Sequence, residues 1–188
     1  MPKDIAIEQI KSLTALSPPP NISGPFSIES AAVDNKTADL DCPEELASRA
    51  LLLGILYRTI GEYKTSRLFF EDAMSKKAQL PTSWIPATTV FELANLDLME
   101  AETVSNTGVP LTEQEGLSES QVPGINEQVS PSILANRELW KKTLDSASGR
   151  LDQVAGLAAN SPAMASRIES RVSMLRDEIG YRRAELGI

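Results

Sequence analysis

The sequence contains no histidine among its 188 residues. That absence removes every Ser–His or Cys–His nucleophile pair, every imidazole metal site, and histidine as a general base. Cysteine is almost as scarce. Cys42 stands alone, so no intrachain disulfide and no thiolate cluster can form, and the redox compartment stays open. Basic residues are outnumbered, 18 Lys and Arg against 26 Asp and Glu, for a formal charge of -8. Phosphate-binding surfaces need clustered cations, so neither nucleic acid nor an anionic membrane is an expected partner. Long apolar runs are missing as well. The longest, Ala50 to Leu56, is interrupted by Gly54 and falls far short of the roughly 20 residues that cross a bilayer. Met1 to Lys11 lacks the apolar stretch of a secretory signal. There is no glycine-rich phosphate loop and no serine nucleophile elbow. The adjacent carboxylates Glu44–Glu45 and Asp177–Glu178 diverge on a helix and make poor acid/base or metal pairs. The expectation is a cytoplasmic, non-enzymatic protein with no transmembrane segment, no catalytic residues, no metal and no cofactor.

Proline and charge divide what is present. Six of the 12 prolines fall in residues 1 to 43, including Pro18-Pro19-Pro20. Pro110, Pro123 and Pro131 cluster between 103 and 131, and the other three stand where helices should begin. Residues 1 to 45 carry a net charge of -5 and residues 103 to 131 a net charge of -4, whereas the rest of the chain sums to +1. Residues 103 to 131 contain no aromatic and no basic residue and bury too little apolar surface to offset the entropy of ordering. The composition predicts a mostly disordered N-terminal segment over 1-42 and a disordered insertion over 103-130.

The remainder reads as all-α, with about five helices. The first runs from about Pro43 to Ile60, with Asp41 or Cys42 as cap, Pro43 in the first turn, Glu44–Glu45 near the positive dipole end, and Gly61 at its close. The second spans about Tyr63 to Ala78 and the third about Ser83 to Glu102. A fourth begins at Pro131, with Trp140, Leu144, Ala147, Leu151, Val154 and Ala158 on one face. A fifth begins at Pro162, with Met164, Ile168, Val172, Leu175, Ile179 and Leu186. Spacings of three and four make one face of a helix.

Ala50 to Ala73 carries a more specific pattern. Leu53-Gly54 is followed by Tyr57, then Gly61, Tyr63, Phe70 and Ala73, which matches the tetratricopeptide hairpin in register. Gly54 and Ala73 permit close approach, and Tyr57 and Phe70 fill the space between the helices. Ser66 replaces the alanine usual near the start of the second helix, and Ala50 replaces the usual tryptophan. About 34 residues later, one period of this repeat, Trp84 falls in the tryptophan slot and Phe91 in the aromatic slot, with Thr88 in the small slot. Residues 43-102 therefore read as a tetratricopeptide-like hairpin plus a third helix, and 131-188 as a helical pair completing the solenoid.

Arg49-Ala50-Leu51-Leu52-Leu53-Gly54, Tyr57-Arg58-Thr59-Ile60-Gly61-Glu62-Tyr63, Trp84-Ile85-Pro86-Ala87 and Phe91-Glu92-Leu93-Ala94 together resemble the C-terminal repeats of a known family. Trp140-Lys141-Lys142-Thr143-Leu144 and Ser166 to Val172 fit as well. The family is that of the fungal inclusion body clearance proteins, also described as mitochondrial outer membrane proteins, with animal tetratricopeptide relatives. The resemblance covers about residues 41 to 186. Family members are longer and carry N-terminal repeats that this chain lacks, so the resemblance implies a fragment or a truncated reading frame. It further implies an adaptor that associates with lipid droplet proteins and helps clear inclusions after folding stress, in cytoplasm and nucleus.

In such a repeat the inner face of the first helix meets the partner. With Gly54 in the small slot, that face carries Ser48, Leu51, Ile55, Arg58 and Thr59. Leu51 and Ile55 hold the slots where a chaperone-tail clamp has Lys and Asn, which disfavours a clamp and leaves an apolar partner segment or intramolecular packing. A short solenoid must bury its faces, which favours packing. The competing class is a helical lipid or sterol carrier with an apolar pocket between helices. The oligomeric state is open.

Overall fold

The computed structural model describes residues 1–28, 39–107, 131–159 and 162–188, apart from the side chains of 131–134 and 162–164. The described residues form six α-helices, one short 3-10 turn and no strand. The helices are α1 (Lys3–Thr14), α2 (Pro43–Ile60), α3 (Tyr63–Ser75), α4 (Trp84–Thr107), α5 (Pro131–Ala158) and α6 (Pro162–Leu186).

The ends of α2 follow from local chemistry. Cys42 caps it in extended conformation, Pro43 occupies the first turn, and the Glu45 carboxylate folds back onto the Asp41 and Cys42 backbone N–H groups at 3.1 and 3.4 Å. These hydrogen bonds to the charged form lower the Glu45 pKa. At the other end Gly61 takes φ 94°, and the N–H groups of Gly61 and Glu62 close onto the carbonyls of Arg58 and Tyr57. That left-handed conformation is open to glycine at no steric cost, and it turns the chain directly into α3.

Three sequence expectations need correction. The N-terminal segment contains a helix, which brings the count to six. Ala6, Ile10 and Thr14 recur every four residues and are buried, so α1 has a narrow apolar stripe that docks on α2. Residues 15–28 and 39–42 are also described, while 29–38 lie outside the described residues. The third predicted helix does not stop at Glu102. As α4 it continues to Thr107, because Ala101 is still core and Thr103 ties back to the Met99 carbonyl at 2.8 Å. Only 108–130 of the expected insertion lies outside the described residues. Finally, α3 ends at Ser75, and Lys77–Gln79 forms the 3-10 turn.

Neighbouring helices run antiparallel. Arg49 Nη1 donates to the Leu16 and Pro18 carbonyls while Lys3 lies near Gly61, which fixes α1 against α2. Ser66 Oγ donates to the Gly54 carbonyl across α2 and α3. Ser146 and Arg150 of α5 reach Asp97 of α4, and Arg176 and Arg183 of α6 reach Asp152 and Asp145 of α5. Alternate helices run parallel as a consequence. Glu44 and Arg58 of α2 meet Trp84 and Glu92 of α4 in the same order, and Glu92 and Glu102 meet Arg171 and Arg182 of α6.

Two apolar cores result. The first joins α1, α2 and α3 around Leu53, Tyr57, Phe69 and Phe70, with Ile85, Leu93 and Leu96 from α4. The second joins α4, α5 and α6 around Phe91, Trp140, Leu144, Leu151 and Val154. Because α4 contributes to both, its buried residues surround the helix on nearly every side.

Candidate partner-binding surface

Of the residues expected to form a repeat signature, Leu53, Gly54, Tyr57, Gly61, Tyr63, Phe70 and Ala73 lie on α2, α3 and the turn between them, and Trp84 and Phe91 lie on α4. A Cβ added to Gly54 would stand 2.5 Å from two ring carbons of Phe70, so only glycine allows this approach without displacing the ring. Tyr57 stacks on Phe69, with centroids 5.3 Å apart and planes within 8°. Leu53, Phe70 and Ala73 are fully buried, Tyr63 packs at the edge of the same core, and Gly61 makes the turn. Phe91 is buried in the second core. Trp84 differs from the others. It is 39% exposed and donates from Nε1 to Glu44 Oε1 at 3.2 Å, which makes it a tether across the starts of α2 and α4.

The five candidate partner residues separate into two groups. Leu51 is 3% exposed and belongs to the first core. Ile55 is half-buried against that core, and Arg58 is half-buried beneath an ion pair with Glu92. Ser48 and Thr59 are half-exposed, and their hydroxyls donate to the Glu44 and Ile55 carbonyls of their own helix. Leu52 lies between them and is 48% exposed. At spacings of three and four residues, Ser48, Leu52, Ile55 and Thr59 make one continuous stripe along α2. Sequence reasoning missed Leu52 because the repeat slots assign it no role.

The charged groups are more organised than the sequence suggests. Glu92, 2% exposed, lies between Arg58 of α2 at 2.7 Å and Arg171 of α6 at 3.1 Å. The Arg58 contact is an ion pair without hydrogen-bond alignment, since Glu92 Oε2 and Arg58 Nε have no hydrogen-bond partner. Arg171 also covers the Phe91 ring at 4.6 Å. Five positions further on, Asp97 makes a second tie, to Arg67 of α3 at 2.7 Å and Arg150 of α5 at 2.8 Å, and Arg67 adds Glu100 at 2.6 Å. Burial works against the Arg67 charge, but the hydrogen bonds that Arg67 donates to Glu100 and Asp97 outweigh it and raise its pKa above the ordinary arginine value. Two carboxylates of α4 thus hold α2, α3, α5 and α6. The one signal in the sequence was an acid inside the apolar run Val90-Phe91-Glu92-Leu93, where a charge needs a partner.

A third site joins residues 15–28 to the hairpin. Buried Arg49 takes up the Leu16 and Pro18 carbonyls, and burial lowers its pKa against the opposing field of Asp72. Tyr57 Oη donates to the Pro25 carbonyl at 2.8 Å and lies 2.9 Å from Ser27 Oγ. Among the described residues, the side chains close enough to share a metal ion are Asp41, Cys42 and Glu45. The Glu45 carboxylate there is already engaged in the α2 cap.

No family model, curated protein or solved structure matches the chain. No described helix is long and apolar enough to cross a membrane.

Proposed function

We propose that the chain is a non-enzymatic adaptor of tetratricopeptide type, which by resemblance takes part in lipid-droplet-linked clearance of protein inclusions after folding stress, in cytoplasm and nucleus. One observation carries the repeat reading. Arg58 of α2 and Glu92 of the parallel helix α4 pair at 2.7 Å while standing about one 34-residue repeat period apart. The Gly54–Phe70 approach within the hairpin supports the same reading. Two of the clefts, one lined by Val154, Ile168 and Val172 and the other by Leu80, Trp84 and Leu157, are open to solvent, which supports a surface that holds a partner over an enclosed lipid or sterol pocket.

The partner stripe in this reading is Ser48, Leu52, Ile55 and Thr59, with Leu51 supporting it from beneath. The test is clearance of heat-induced aggregates in cells that lack the gene. The wild-type chain should restore clearance and association with lipid droplets. Leu52→Lys combined with Ile55→Lys should restore neither while keeping its helical circular dichroism. Full rescue by that variant overturns the stripe, and normal clearance in cells without the gene overturns the function.

A further inference from the structure

Where the start of α1 meets the end of α2, a cleft of about 370 Å³ holds two cations and no acid. Its lining includes Lys3, Arg58, Thr59, Ile60, Tyr63 and Met99. The chain as a whole carries a charge of -8, so a lining with two positive groups and no carboxylate departs from the average of the molecule.

Neither cation is fully used. Arg58 Nη2 pairs with Glu92 at 2.7 Å, but Nη1 reaches only the thioether sulfur of Met99 at 4.0 Å, and sulfur is a weak acceptor. Arg58 Nε is buried with no acceptor at all. Glu92 is itself shared with Arg171 at 3.1 Å, so one carboxylate answers two guanidiniums. Lys3 is exposed and makes no ion pair among the described residues. It is also the first residue of α1, whose positive dipole end adds charge of the same sign. An anion in the cleft would supply Arg58 with an oxygen acceptor and meet Lys3 at the same time.

The walls select among anions. Ile60, Tyr63 and Met99 give the cleft apolar surface, which a bare phosphate leaves unused and a carboxylate on an apolar body covers. The cleft is open to solvent, unlike the pockets that enclose most of a small ligand. Thr59 belongs both to the cleft and to the stripe of Ser48, Leu52, Ile55 and Thr59, so a segment lying along α2 runs directly into it. We infer that the partner segment carries an acidic residue beside its apolar ones, and that this side-chain carboxylate seats between Lys3 and Arg58. The inference rests on the adaptor reading and gives the chemistry of its partner.

Fluorescence anisotropy of the full chain with an acetylated, amidated helical dodecapeptide tests it. The peptide matches the stripe in length, has leucines at spacings of three and four, and carries Glu, Gln or Lys at both ends. Wild type should bind the Glu form about tenfold more tightly than the Gln form and the Lys form least, with the preference shrinking at high ionic strength. Lys3→Glu should melt no lower than wild type, because Lys3 is exposed, yet lose the preference, while Lys3→Arg keeps it. Leu52→Gln combined with Ile55→Gln should weaken all the peptides alike. Equal binding of the Glu, Gln and Lys forms by wild type overturns the inference and leaves the stripe standing, whereas binding of none overturns both. A preference that survives Lys3→Glu overturns the placement. So does displacement of the Glu peptide by inorganic phosphate but not by acetate at equal ionic strength, which would make the cleft a phosphate site.

Discussion

Around Tyr57 the helices touch ring to ring and glycine to ring, with Gly54 directly beneath Phe70. Around Leu151 they meet through alanine and aliphatic side chains, and Gly149 and Gly156 on the same helix have nothing within 4 Å of where a Cβ would go. The difference lies in how each half specifies its packing. The α2–α3 hairpin does so by shape, through residues that have no substitute of equal volume. The α4–α6 half does so by periodicity, with alanines and branched aliphatics repeating on one face, and by ion pairs that fix how the helices slide past one another.

The most damaging change should be in the shape-specified half. Phe70→Ala should cost about 3–5 kcal/mol, as large-to-small changes in a packed core do. Gly54→Ala should cost about 1–3 kcal/mol by overpacking. In the Phe70→Ala background the Gly54→Ala penalty should vanish, because the ring it meets is gone. Urea denaturation of the four proteins in this cycle measures the coupling, and an unchanged Gly54→Ala penalty would show that the ring is not what excludes a side chain there.

Glu92→Ala probes the charge-registered half. Complete breakage of a buried pair costs about 3–5 kcal/mol, and because Arg58 and Arg171 retain contact with solvent the expected loss is about 2 kcal/mol. The same substitution at the exposed Glu169 should change stability by less than about 0.5 kcal/mol. Equal urea midpoints for the two variants would remove the tie from any structural account.

Tyr57→Phe keeps the ring stack and deletes the hydroxyl that grips residues 25 and 27. A loss of about 1 kcal/mol is expected, with faster hydrogen exchange in residues 15–28. This hydroxyl also carries a pH signature. Burial raises the Tyr57 pKa, with the Ser27 hydrogen bond opposing, so folding favours the neutral phenol. Its stabilisation is complete below the unfolded value of about 10 and declines as pH climbs through the raised folded value. Wild type should therefore lose more stability than Tyr57→Phe between about pH 9 and 11. Parallel melting curves over that range would contradict the assignment.

The smallest effect has the opposite sign. Gly149→Ala and Gly156→Ala should each stabilise α5 by about 0.5–1 kcal/mol, since an exposed helical glycine loses conformational entropy on folding with no packing in return. A drop in melting temperature for either would mean that the second half also relies on close backbone approach.

The same contrast explains what could be read from the sequence. Trp140, Leu144, Ala147, Leu151, Val154 and Ala158 are all buried, as their spacing requires, because a helical stripe is a one-dimensional pattern. Gly54, Tyr57 and Phe70 were legible because a hairpin joins residues close in the chain. The helix starts at Pro43, Pro131 and Pro162 were legible because proline suits the first helical turn and a capping residue stands before each. Helix α1 was hidden, since three buried positions in 12 residues make a weak signal next to Pro18-Pro19-Pro20. The partners of Glu92 and Asp97 were hidden too, because they lie 30 to 79 residues away in sequence. The exposure of Leu52 and the burial of Leu51 depend on which helices flank α2, and adjacent sequence positions do not show that.

The Arg58–Glu92–Arg171 tie has a consequence for how the molecule comes apart. A stack of helical pairs ordinarily behaves like a chain of spins coupled only to nearest neighbours, and its ends melt before its middle. Glu92 couples α2 to α6 through α4, which adds an interaction beyond the nearest neighbour. A state with α6 undone leaves Arg58 alone to compensate a carboxylate that is still buried. Partly unstacked states are thereby penalised, and the terminal and central helices should melt together in a single transition.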